Sequence, residues 1–207
     1  MSLLDAIGHE RLVLADLLDT LTPAQLQTPS FCGDWTVQQV AGHLLMPLVT
    51  PLRAFALEAL KARGNFDTAN DRASRRFAQR SISEISAGLR ANARNRFHAP
   101  TFGLEAPLAE MLLHGQDIRR PLGLTWGFPL TSIPTVLDLL ASPKAARGFV
   151  PRGIIRGLRF EAVDVDWAVG DGALVRGPGS SLAYAMTGRK VSLDELSGAG
   201  VAALRER

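Results

Sequence analysis

Apolar residues fall at three- and four-residue steps from the start of the chain. Leu4, Ile7, Leu14, Leu17, Leu18 and Leu21 lie on one stripe, which predicts an amphipathic helix over 3–21. Thr22-Pro23 then supplies a cap and a first-turn proline for one short helical turn, and SFCGD reads as a loop. A second helix starts at Thr36, with Gln39 three residues on as in a capping box. Val37, Val40, Leu44 and Leu48 give its apolar side, and His43 faces the same way as Val40. Pro47 removes the N–H that would bond the carbonyl of His43, so a kink or an opened turn is expected there, with the helix recovering to residue 62. A third helix starts at Ser81 with Glu84 as its box partner. Ile82, Ile85, Leu89, Ala93 and Phe97 form its face, and an earlier helical piece over 70–80 precedes it. Pro107 opens a fourth helix running to about residue 120, with Leu108, Met111, Leu112 and Gly115 on its buried stripe.

Beyond Leu124 the texture changes. Pro129, Pro134, Pro143 and Pro151 punctuate a linker with one short helix over 133–140. GLRFEAVDVDWAVGDGALVRG alternates apolar and polar residues on either side of Gly-Asp-Gly, which predicts a β-hairpin turning there. SLAYAMTGR and VAALRER read as two closing helices. The fold class expected is mainly α: a four-helix bundle over 1–124, followed over 125–207 by a linker helix and a small α+β appendage.

Composition narrows the function. Of 207 residues, 46% are hydrophobic and 21% charged, which is enough to fill a core and unlike a disordered chain. A net charge of +3, from 23 basic and 20 acidic residues, gives no nucleic-acid footprint. Cys32 is the single cysteine, so no internal disulfide forms and a reducing compartment is expected. The N-terminus lacks a signal-peptide pattern and no long uncharged apolar run occurs; a cytoplasmic protein without membrane or nucleic-acid partners is expected. The arginines at 72, 75, 76 and 80 read as a solvated helix face, with steering of an anionic substrate as the alternative. The apolar faces can be buried within one chain, so a monomer suffices, and a homodimer is equally compatible.

The chemistry concentrates at AEMLLHGQDIRR. Glu110 and His114 are four residues apart on one helix and project side by side. With His43 from the second helix they form two imidazoles and one carboxylate, a set that suits a catalytic Zn²⁺ with one open position. The same donors suit Fe²⁺ or Ni²⁺. A simple hydrogen-bonded Glu-His pair and a lone histidine beside a proline are the plainer explanation of the same residues.

CGDWTVQQVAGHLL around His43 resembles the cysteine–glycine–tryptophan–threonine–valine segment that leads to a histidine in the mycothiol-dependent maleylpyruvate isomerase family, within the DinB/YfiT-like metalloenzyme superfamily. EMLLHGQDI resembles that family's second ligand segment, and DWAVGDGALVRGPGSSLAYAMTGR resembles the appendage many members carry. Residues 62–105 match it only in helical layout. The resemblance implies a DinB-like four-helix bundle, a divalent metal, usually zinc, held by His43, Glu110 and His114, and a low-molecular-weight thiol such as mycothiol as co-substrate. An enzyme is then expected that isomerises or S-transfers a small electrophile. A non-enzymatic metal-containing bundle that binds a ligand or partner, and a hydrolase using metal-activated water, are the alternatives.

Two further residues attach to this site. Asp117, three residues past His114, is expected either to accept a hydrogen bond from a ligand imidazole or to be an exposed acid beside Arg120. Arg189 resembles an arginine of the family's C-terminal region that clamps an anionic substrate; by itself it reads as a surface arginine. Trp35 is expected to pack at the start of the second helix, and Cys32 to fill a small space in the core.

Overall fold

Three capping boxes set the N-terminal half. Ser2, Thr22 and Thr36 each accept a hydrogen bond from the backbone N–H three residues on, and the side chains of Asp5, Gln25 and Gln39 return to the cap backbone. Each box satisfies amide groups that a helix start leaves without partners. They begin α1 (Leu3–Thr20), α2 (Pro23–Leu26) and α3 (Val37–Val49). These belong to a computed structural model that describes residues 1–124 and 127–207, without the side chains at 52, 55, 56, 58, 59 and 66. The chain divides into two units. One comprises Met1–His98 and the described residues of Glu110–Thr125; the other comprises Ala99–Ala109 and the described residues of Trp126–Arg207. The boundary expected between residues 124 and 125 falls outside the described residues.

The first unit is a helical bundle. α3 stays helical through Pro47 and ends at Val49. The break comes at Pro51, after which α4 (Leu52–Lys61) follows. α5 (Phe66–Phe77) and α6 (Ile82–Ala91) are separate helices, and a fourth capping box at Ser81 starts the latter. α7 (Glu105–Arg119) begins two residues before Pro107, which sits in the first turn, where a missing N–H costs nothing. α1 packs along α6, and α3 packs against both α5 and α6. Leu14, Leu18, Val40, Leu45, Ile85, Leu89, Met111 and Ile118 meet in a common core drawn from α1, α3, α6 and α7. The mainly helical bundle expected from the sequence is therefore present.

α6 stops at Ala91, so the helical face expected to reach Ala93 and Phe97 ends short. The reason is tertiary. Arg11, 1% exposed on α1, donates to the carbonyls of Asn92, Ala93 and Asn95 at 3.0, 3.0 and 2.8 Å. These acceptors are satisfied by a guanidinium instead of by a further helical turn. α3 and α5 approach closely at Gly42, where a Cβ would stand 2.7 Å from the backbone nitrogen of Ala78 and 3.0 Å from the carbonyl oxygen of Ser74.

The second unit contains α8 (Ile133–Ala141), α9 (Gly179–Met186), α10 (Gly200–Glu206) and a three-stranded sheet of β1 (Leu158–Ala162), β2 (Ala168–Val169) and β3 (Ala173–Gly177). The strand order is β2-β1-β3. β2 runs antiparallel to β1 with Phe160 opposite Val169, and β3 runs parallel to β1 with Leu158 opposite Ala173. The expected hairpin at Gly-Asp-Gly is thus corrected: the strands flanking it lie on opposite sides of β1. Residues 170–172 instead cross the start of β1. A Cβ at Gly170 would lie 2.2 Å from the oxygen of Leu158, and one at Gly172 2.0 Å from the oxygen of Gly157. The alternation marked the strands, but the glycines serve a backbone crossing, not a two-residue turn. α8 packs on α9, whose first amide donates to Asp164 at 2.9 Å.

Candidate metal centre

Two helices of the first unit supply the central trio. α7 carries Glu110 and His114 one turn apart, and His114 Nε2 lies 3.1 Å from Glu110 Oε2. α3 brings His43 Nε2 to 3.3 Å from the same oxygen. The imidazole rings meet edge to face with centroids 4.9 Å apart. One donor atom from each of the three residues lies within 4.8 Å of the others.

The outer ring nitrogens are held as well. His114 Nδ1 is 2.9 Å from Asp117 Oδ2. An ionised carboxylate only accepts, so Nδ1 carries the proton there. Asp117 is fully buried, which rules out the exposed-acid expectation for it. His43 Nδ1 is 3.2 Å from Ser74 Oγ on α5. Trp35 packs beside His43, ring centroids 5.1 Å apart and planes tilted by 46°, and its Nε1 donates to Asp71 at 2.7 Å. Arg75 also donates to Asp71, at 2.8 Å, and reaches Asp34 at 3.0 Å.

The electrostatics follow from this crowding. Burial opposes charge on Glu110, yet hydrogen bonds and attraction from His114 and His43 outweigh it and hold the carboxyl well below its ordinary range. Burial likewise opposes a proton on His114. The Cys32 sulfur, Asp117 and Glu110 outweigh burial and hold its pKa well above the ordinary imidazole value. Glu110 and Asp117 thus face the His114 ring from its two nitrogens, Nε2 and Nδ1. Two imidazole nitrogens and a carboxylate oxygen within 4.8 Å of one another suit a cation, and both rings have the outer partners that metal-binding histidines use. The donor set fits a divalent metal.

The loop 30–35 closes one side. The Ser30 amide donates to the Trp35 carbonyl at 2.8 Å, and the Phe31 amide donates to the backbone carbonyl of Asp117 at 3.3 Å. Gly33 takes φ +57°, a left-handed turn that glycine adopts freely. Cys32, half-buried against the core, has its sulfur within 4.8 Å of donor atoms of both His114 and Asp117.

Residues 7–119 match the family model described as the mycothiol maleylpyruvate isomerase N-terminal domain. The chain belongs to that family. The match spans α1 to the end of α7 and so includes His43, Glu110, His114, Asp117 and Ser74. Comparison with curated proteins and with solved structures gives no match. For this member of the mycothiol maleylpyruvate isomerase family, among the described residues no helix is long and apolar enough to cross a membrane.

Of the residues singled out in the sequence, His43, Glu110, His114 and Asp117 come together. Arg189 belongs to the second unit, where its guanidinium lies 5.2 Å over the Tyr184 ring and donates to Thr187 Oγ1 at 2.9 Å. Arg72, Arg76 and Arg80 are exposed, as a solvated face requires. Ser74 and the Trp35–Asp71 pair were not legible as part of the centre. The only advance signal was Gly42 beside His43, a small residue that permits a second helix to approach.

Proposed function

We propose that this chain is a metal-dependent enzyme that uses a small, mycothiol-like thiol to isomerise or S-transfer a small electrophile. His43, Glu110 and His114 would hold the cation, with Zn²⁺ the first choice and Ni²⁺ or Fe²⁺ accepted by the same donors. One observation carries the reading: both imidazoles turn Nε2 toward Glu110 while their Nδ1 atoms are engaged by Ser74 and Asp117. When bound, a divalent cation supplies the Lewis acidity that keeps a small thiol ionised at neutral pH.

The chain's own residues do the remaining work. Asp117 holds the His114 ring from inside the core. Trp35 packs beside the His43 ring and limits how far it can turn. To hold a cation, His114 would have to release the proton from its Nε2 side. An ionised thiol forms a C–S bond to a conjugated cis alkene; rotation about the resulting single bond and cleavage of the C–S bond return the thiol and the trans alkene. Displacement of a leaving group by the same sulfur gives S-transfer.

Elemental analysis of the purified protein, followed by incubation with a thiol and an electrophilic test substrate, checks this. One divalent ion per chain and turnover that needs both metal and thiol is the expected result. Bound metal without turnover would make the chain a binding protein, and turnover without thiol would make it a hydrolase. Glu110→Gln, which keeps shape and removes charge, is expected to abolish metal retention; full retention refutes the ligand set.

A further inference from the structure

Arg75 stands apart from the exposed arginines beside it on α5. Its guanidinium joins two carboxylates. Nε donates to Asp71 at 2.8 Å, and Nη2 reaches both oxygens of Asp34 at 3.0 Å. Asp71 belongs to α5 itself, but Asp34 lies near the tip of the loop 30–35, 41 positions away in the chain. Asp71 also accepts from Trp35 Nε1 at 2.7 Å, so one helix ties this loop twice.

The base of the loop is fixed by its own backbone. The Ser30 amide donates to the Trp35 carbonyl at 2.8 Å, and the Val37 amide to the Thr28 carbonyl at 3.0 Å. These bonds leave residues 31–34 to be held from outside. On the α7 side the Phe31 amide meets the Asp117 carbonyl at 3.3 Å, longer than the usual value of about 2.9–3.0 Å. The shorter, charge-assisted bonds are those to α5. The loop touches both histidines of the centre. Trp35 stands beside His43, and the Cys32 sulfur lies within 4.8 Å of a His114 donor atom.

We infer that Arg75 is a positioning residue: with Asp34 and Asp71 it latches the loop 30–35 beside both histidines and so slows the exchange of a cation held between them. A guanidinium suits this role because its planar fork serves Asp34 while Nε serves Asp71; an ammonium has no such fixed geometry. Asp34 is 85% exposed, so the outer arm of the latch is open to screening by salt. The hold on the loop needs no metal, while its effect on cation exchange rests on the proposed ligand set.

Amide hydrogen exchange of the full, metal-free chain, followed by mass spectrometry, tests the latch. Wild-type peptides covering 28–36 are expected to exchange faster as NaCl rises from about 0.05 to 1 M, and Asp34→Asn is expected to lose that dependence. Arg75→Ala is expected to speed exchange there by about fivefold, with peptides of α1 and α6 unchanged. Arg75→Lys, which keeps the charge without the fork, is expected to fall between. Release of Zn²⁺ from the loaded protein to a chelator is expected to quicken in Arg75→Ala by a similar factor. A wild-type loop insensitive to salt overturns the inference, and that measurement needs no variant to fold. Equal acceleration in α1 and α6 also overturns it, because the loss would then be of global stability. So does a faster loop with unchanged Zn²⁺ release. The expected loop behaviour in a protein that takes up no Zn²⁺ would leave Arg75's hold on the loop intact and refute the proposed function.

Discussion

Asp117→Asn changes one charge at a fully buried position and leaves the side-chain shape almost unaltered. The asparagine carbonyl can still accept from His114 Nδ1, so the ring keeps a partner at about the present 2.9 Å. The backbone carbonyl that anchors Phe31 is untouched. What disappears is the negative charge behind the imidazole, together with the charge-assisted part of a hydrogen bond that contributes about 1.5–3 kcal/mol in full. Because a neutral hydrogen bond remains, the loss in cation binding should be smaller than the full value. Partners of metal-binding histidines typically change affinity by about 10- to 100-fold, which is about 1.4–2.7 kcal/mol. Zn²⁺ competition against a chromogenic chelator, with far-UV circular dichroism to establish that the helices persist, measures this. Affinity within twofold of wild type in a folded variant would show that Asp117 does not support His114 as a ligand.

Three more outcomes are expected. Cation affinity should rise with pH through the neutral range, by up to about tenfold per unit: His114 holds its proton above the ordinary pKa, and that proton must leave before Nε2 can ligate. An affinity flat from pH 6 to 8 would contradict this. Burial opposes charge on Glu105, but Lys144 and the Gly103 amide outweigh it and push its pKa down to about 2, below the ordinary 4.5. The folded-state pKa is the lower one, so the stabilisation is complete above 4.5 and fades as pH falls toward 2. With Lys144 partly exposed, unfolding free energies of wild type and Glu105→Gln from urea titration should differ by only about 1 kcal/mol at neutral pH, and converge in acid. Gly42→Ala should cost about 1–3 kcal/mol, read as a Tm several degrees lower, because the new methyl meets the Ala78 and Ser74 backbone at 2.7 and 3.0 Å; an unchanged Tm would mean that α3 and α5 can separate freely.

Local chemistry made much of this chain legible from its residues alone. Caps and boxes at Thr22, Thr36 and Ser81 started helices where their side chains reach amides three residues away. The four-residue step from Glu110 to His114 placed both side chains on one turn, because 3.6 residues per turn leaves them no other relation. The alternation after residue 157 marked strands for the same kind of reason. What depended on residues far apart in the chain was decided only by the packed structure. Arg11 ended α6 by collecting carbonyls 81 to 84 residues away, which no helix propensity encodes. The glycines at 170 and 172 carried the chain across β1, since a strand pattern names no partner. His43 became part of a centre only when Gly42 admitted α5, bringing Ser74 to one nitrogen while α7 brought Glu110 to the other. Periodicity and capping act over a few residues; convergence of donors depends on which surfaces exclude water together, and that is a property of the whole first unit.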